Sequence, residues 1–393
     1  MDLASNPYTP GAGTPPPALV GRQEQLDSGR VVIARTAQGR PAEAPILYGL
    51  RGVGKTVLLK ELQRQSDAAG WVTVEIEGKQ DPDEQILARR RLARGLIASV
   101  RAVAPPSRWT DSWRRALGSL SSFSVGVGVT GVQVGVGIEP RAGTADSGDA
   151  TLDLEELVRE MAPALEETGI GLAIFVDEIQ DLDPTTLSAL LSVRHRASQN
   201  RWPFQLYGAG LPTVPGRLAE VRSYAERFPY TRIGALSDAD ARAALSEPAR
   251  DEGIHFEERA LEILVEISGG YPYFLQIFGD QAWKTAAGPE TITEDDALVA
   301  VSNGTALLDE SLFHSRWDRA TPTQKDLMRA MSLDAGSSQI AVLVERLGKR
   351  RPSDLSVTRD ALIKKGLIFA PERGVVAFTV PHMGDFIRRQ NEE

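Results

Sequence analysis

Apolar positions along this chain fall into short runs separated by longer stretches of helical period. Ile46-Leu47-Tyr48 is one such run. Trp71 to Ile76 alternates apolar and polar positions, as a strand buried on one face does. Gly171 to Val176 is apolar almost without break, which suits a strand covered on both faces of a parallel sheet. Pro203 to Leu211 and Thr231 to Leu236 supply a fourth and a fifth strand. Helical patterns separate them: to about Ala37, after Lys55, over 82–103, over 152–168 and from Asp183-Pro184. Strands and helices in alternation predict an α/β unit whose parallel sheet is covered by helices.

From Ser237 to about Arg319 the pattern is helical only. Residues 321–393 then carry three short helical stretches, the last stopped by Gly366, followed by two apolar runs around Pro371-Glu372-Arg373-Gly374. Helices followed by a hairpin are similar to a winged helix. Two further expectations concern irregular segments. Residues 1–17 are rich in Pro, Gly, Ser and Thr and predict a disordered arm. Apolar residues at 123, 125, 127 and 129, then at 132, 134, 136 and 138, predict a β-hairpin inserted near 121–139 and turning at Thr130-Gly131.

Gly49-Leu50-Arg51-Gly52-Val53-Gly54-Lys55-Thr56 follows the first apolar run and leads into a helix that starts near Lys55 and whose pattern is read from Val57 on. This is the context of a phosphate-binding loop. Gly49, Gly52 and Gly54 let successive backbone N–H groups face the phosphates, with Val53 between them, and the helix aims its positive end at the same anion. Lys55 reaches phosphate oxygens and the Thr56 hydroxyl is a Mg²⁺ ligand. The run ending at Val176 leads into Asp177-Glu178, the form of a Walker B element. Asp177 is placed to hold Mg²⁺ through its water shell, and Glu178 to take a proton from an attacking water. ATP and Mg²⁺ are the implied ligands.

These motifs, in this order, resemble the initiator-like and archaeal-type AAA+ ATPases and the related STAND ATPases. The likeness covers roughly 18–236. Val20-Gly21-Arg22 resembles the box that precedes the phosphate loop in those families and lies against the adenine, which implies backbone contacts from Val20 and Gly21 and a polar or structural role for Arg22. Gly269-Gly270-Tyr271-Pro272 resembles their G-x-P element, which places Tyr271 and Pro272 by the nucleotide; the plain alternative is a helix started by its proline. Arg227 stands where AAA+ proteins often carry an arginine finger, or else is a structural arginine paired with Glu226 or a neighbour. Two departures stand out. The fourth strand ends in Gly208-Ala209-Gly210, without the polar sensor residue of AAA+ proteins, and the lid lacks their sensor arginine. The resemblance implies a P-loop AAA+ sheet over 18–236, a helical lid over 237–320 and a winged helix over 321–393, in a homo-oligomer or with a protein partner.

Composition narrows the function. The chain has 393 residues, a net charge of −9 and no cysteine, so disulfide and thiolate chemistry are excluded. The four histidines are scattered, against a zinc site, and no run is long enough to span a membrane, so a cytoplasmic protein is expected. Residues 316–393 carry 14 Lys and Arg against 10 Asp and Glu, a balance of +4, which leaves −13 on the remainder. Duplex DNA would therefore be met only by the tail, through Arg351, Arg359, Lys364, Lys365 and Arg373. The expected function is a slow ATPase acting as a conformational switch on DNA; the alternative is an ATP-dependent signalling or assembly sensor whose tail binds protein.

Overall fold

A computed structural model describes residues 1–11, 13–79, 81–104, 110–129 and 140–390. Two compact units emerge, one of residues 22–49 and 55–233, the other of residues 1–21, 50–54 and 234–393.

The first unit runs α1 (Gln23–Ala37), β1 (Ile46–Tyr48), α2 (Lys55–Ala68), β2 (Val72–Glu77), α3 (Pro82–Val103), α4 (Asp111–Gly126), α5 (Ala150–Thr168), β3 (Leu172–Asp177), α6 (Pro184–Asn200), β4 (Phe204–Gly210), α7 (Val214–Val221) and β5 (Tyr230–Arg232). All five predicted strands form. They pair in parallel in the order β2-β3-β4-β1-β5. β3 and β4 are buried along almost their whole length, which is why their sequences do not alternate, whereas β2 alternates as the edge strand. Phe175 and Tyr207 stack across β3 and β4 with ring centroids 4.6 Å apart. The order sets the carboxyl ends of β3, β4 and β1 side by side, the crevice where open α/β sheets bind ligands. Gly49, just past β1, donates its N–H to the Gly210 carbonyl at 3.1 Å.

The expected hairpin near 121–139 is corrected in its first half. Phe123 to Gly126 is the last turn of α4, capped at its start by the Thr110 hydroxyl. Trp113, Ala116, Leu117, Leu120 and Phe123 are all buried, a helical face into which Phe123 fits and which overrides the local alternation. Val125, which the hairpin would have buried beside Phe123, is exposed. The second half, 130–139, lies outside the described residues.

The second unit runs α8 (Asp238–Asp251), β6 (His255–Phe256), α9 (Glu258–Ser268), α10 (Pro272–Thr285), β7 (Thr291–Ile292), α11 (Glu294–Leu308), a π-helical turn (Asp309–Phe313), α12 (His314–Asp318), α13 (Pro322–Ser332), β8 (Ser337–Gln339), α14 (Ile340–Arg346), α15 (Ser356–Lys364), β9 (Ile368–Phe369), β10 (Val375–Phe378) and α16 (Met383–Arg389). β9 and β10 make the expected hairpin, and β8, which the sequence did not announce, adds to the other side of β10. The segments expected as separate lid and C-terminal domains share one hydrophobic core. Phe274 meets Phe313 edge-on at 6.4 Å, and Phe313 stacks on Phe386 at 5.5 Å, so an aromatic residue near the end of the lid segment packs on both the lid and the tail.

Nor is the amino-terminal segment a disordered arm. Tyr8 is 3% exposed and belongs to the same core. Its hydroxyl donates to the Leu245 carbonyl, Asn6 Nδ2 donates to Asp280 at 2.8 Å, and Trp283 Nε1 donates to the Asp2 carbonyl at 2.8 Å. A Cβ on Gly279 would lie 2.7 Å from the Tyr8 ring, so the glycine is what lets the ring lie down on α10. Composition pointed to disorder, but one aromatic anchor outweighs it, with the Asp2 carbonyl bonded before it and the Thr9 N–H donating to Gln276 Oε1 at 3.1 Å after it.

Candidate nucleotide site

Within the first unit the carboxyl ends of β1 and β3 bring four predicted residues into one place. Lys55 and Thr56 open α2, with Val57 following, and Lys55 is buried. The Thr56 hydroxyl donates to Asp177 Oδ2 at 2.6 Å. Asp177 Oδ1 accepts the Glu178 N–H at 2.9 Å, so one carboxylate is bonded from both sides. A hydroxyl and a carboxylate this close are hard oxygen donors of the kind that hold Mg²⁺ with few protein ligands and the remainder from phosphate and water. The donor set therefore fits the ion.

Glu178 sits at φ 45°, ψ 47°, in the left-handed region that costs a non-glycine residue about 1–3 kcal/mol. The turn it makes drops the chain directly into the short 3-10 segment Ile179–Asp181, whose Ile179 is buried. Gly78, just past β2, is pressed against this turn, where a Cβ would fall 2.2 Å from the Glu178 carbonyl oxygen. Gln180 Nε2 donates to Glu178 Oε2 at 2.6 Å. Sequence reading missed both residues; the only signal was a glutamine two places after Glu178. Arg22, the residue before α1, is buried in this unit. Arg227 ends the 3-10 segment Ser223–Arg227 ahead of β5, is exposed, and has no ion-pair partner among the described residues. The suggested pairing with Glu226 does not form.

The loop residues Gly52, Val53 and Gly54 belong to the second unit, as do Val20, Gly21, Tyr271 and Pro272. Gly52 and Gly54 have φ of 82° and 88°, which only glycine adopts freely. The Gly52 carbonyl accepts the Tyr273 N–H at 3.2 Å, and the Arg51 N–H donates to the Thr379 carbonyl at 3.2 Å. Gly21 approaches α8 closely, with an added Cβ only 2.8 Å from the Asp240 carboxylate. Pro272 is the first residue of α10, with Tyr271 just before it. Arg316 is pushed down to about 10, first by burial and then by Arg51 and Arg319, whose positive charges stand close by.

Residues 18–206 match the family model described as an AAA ATPase domain. This segment is an AAA ATPase domain. The chain is thus an ATP-binding ATPase of the P-loop AAA+ fold. A second model, a domain of unknown function (DUF8462), matches residues 310–387. No curated protein matches the chain. Among solved structures, the Walker-type ATPase of Pyrococcus abyssi is similar over 94% of this chain and 96% of its own, at 16% identity and a TM-score of 0.62. The ORC2 protein of Aeropyrum pernix, solved in ADPNP-ADP complexes, is similar over 98% of both chains at 15% identity and a TM-score of 0.56. At these identities the likeness is one of fold.

The residues expected on DNA separate into two groups. Arg351, Lys364 and Arg373 are exposed, and Arg359 on α15 is half-buried and bonded to Asp360 at 2.8 Å. Lys365 differs from them in that its Nζ donates to the Arg319 carbonyl and to Gln324 Oε1, both at 2.7 Å, which leaves one of its three donors for a phosphate. Among the described residues no helix is long and apolar enough to cross a membrane.

Proposed function

We propose that ATP binding and slow hydrolysis switch the second unit between two states, and that its C-terminal part, read as a winged helix, contacts duplex DNA. The observation that carries the proposal is the bond from the Arg51 N–H to the Thr379 carbonyl. Arg51 is in the phosphate loop and Thr379 follows β10, so a shift of the loop backbone on nucleotide binding is felt directly by the hairpin. The cluster of Arg51, Arg316 and Arg319 favours an anion beside the loop and supports the same reading. Thr56 and Asp177 would hold Mg²⁺, which when bound supplies charge neutralisation on the phosphates. Lys55 pairs with phosphate oxygens, Glu178 accepts the proton of the attacking water, and Arg227 acts across a subunit interface. Val20, Gly21, Tyr271 and Pro272 take the adenine side.

Binding of the full chain to duplex DNA, titrated against salt with ATP and with ADP, tests this. If Arg351, Arg359, Lys364 and Arg373 meet phosphates, log K falls with log salt at a slope of about −3.6, and more tightly bound DNA is expected in one nucleotide state. Val357 on α15 is 82% exposed and Leu333 is 65% exposed, apolar residues that favour the second reading, a STAND-like assembly sensor binding protein. Absence of DNA binding at low salt in both nucleotide states would decide for that reading.

A further inference from the structure

The end of β4, where AAA+ proteins carry a polar side chain, is made here of Gly208, Ala209 and Gly210, and the room those glycines leave is filled from the segment after Glu178. A Cβ on Gly208 would lie 2.9 Å from Ile179 Cδ1, and a Cβ on Gly210 would lie 2.0 Å from Gln180 Oε1. Gln180 is held at both ends. Its Oε1 accepts the Leu211 N–H at 3.2 Å, and its Nε2 donates to Glu178 Oε2 at 2.6 Å and to Asp181 Oδ2 at 3.2 Å. These partners settle the amide orientation, since a backbone N–H requires the oxygen and two carboxylates require the NH₂.

We propose that Gln180 is the missing polar residue of this strand end, a positioning residue that ties the Glu178 carboxylate to the backbone just past β4 and so aims the base. The inference rests on Glu178 being the general base. The left-handed turn at Glu178 brings the side chains two residues apart within reach of each other, and the absent side chain of Gly210 leaves the amide its place. Proton transfer needs the acceptor oxygen held close to one direction, and misplacement by about 1 Å costs roughly 10²-fold in rate. One carboxylate oxygen fixed by Gln180 sets the plane of the other.

Single-turnover ATP hydrolysis by the full chain, with nucleotide affinity measured in parallel, reads this out. Gln180→Ala should lower the rate by about 10²-fold while leaving ATP affinity unchanged. Gln180→Glu keeps the packing but replaces the donor with a second carboxylate, and should be at least as slow. Gly210→Ala should displace the amide and show the same loss, and the double variant Gln180→Ala/Gly210→Ala should be no slower than either single one. Wild-type rates in both Gln180 variants, or losses that multiply in the double variant, would overturn the inference. Glu178→Gln is measured alongside. If it turns over normally, the base assignment falls and this inference with it; if it is inactive while Gln180→Ala and Gln180→Glu hydrolyse normally, only the role of Gln180 falls.

Discussion

Replacing Tyr8 with alanine is expected to destabilise the second unit as a core substitution would, although the residue lies in a segment whose composition reads as disordered. The ring is 3% exposed, packs edge-on to Trp283 at 6.4 Å, and covers Gly279. Removing a buried aromatic ring costs about 3–5 kcal/mol through lost burial and the cavity left behind. For a unit of this size each kcal/mol moves Tm by about 2–4 °C, so the expected fall is roughly 6–20 °C. Tyr8→Phe keeps the ring and loses only the bond to the Leu245 carbonyl, about 0.5–1.5 kcal/mol. Gly279→Ala forces a Cβ to within 2.7 Å of the ring and should also destabilise the fold, but much less so in the Tyr8→Ala background, where the obstacle is gone. Calorimetry on the full chain compares the Tm of each variant with that of the wild type, and limited proteolysis shows whether the first ten residues become accessible. An unchanged Tm in Tyr8→Ala, or cleavage of the arm at the same rate in wild type and variant, would refute the docked arm.

Other outcomes follow from the site and the sheet. ATP at about a hundred times its Kd should stabilise the wild type by roughly 2.7 kcal/mol, and Lys55→Ala should lose that thermal shift; equal shifts would remove the lysine from the phosphate site. If Arg227 acts in trans, specific activity should rise with protein concentration, Arg227→Ala should cost about 10³–10⁵ in rate, and mixing it with Glu178→Gln should restore part of the activity. Activity that is independent of concentration and unaffected by Arg227→Ala would leave it a surface residue. Arg194 is buried, donates to the Ala44 and Leu206 carbonyls at 2.7 and 3.0 Å, and lies 4.1 Å from the Phe228 ring centroid. Arg194→Met should lower stability by about 2–5 kcal/mol in a denaturant melt, since both carbonyls lose a partner; a loss no larger than that of an exposed arginine would contradict this.

The strands, the phosphate loop and the acidic pair were legible in the sequence because each depends on local order along the chain. A continuous apolar run ending in Asp177-Glu178 suits a strand buried on both faces of a parallel sheet, and Gly52 and Gly54 mark a backbone that other residues resist. The same is true of the order of helices and hairpin at the C-terminus. What tertiary structure alone decided depends on partners far away in sequence. Phe123 looked like part of a strand until the helical face begun at Trp113 claimed it. Tyr8 is ordered because Gly279 and Leu245, more than two hundred residues later, receive it. Lys365 is bonded to Arg319 and Gln324, more than forty residues earlier, which its place in the sequence does not announce. Gln180 is informative only once Gly210 is seen to make room for it, because an empty place on one strand and the side chain that fills it are joined by packing and not by spacing along the chain.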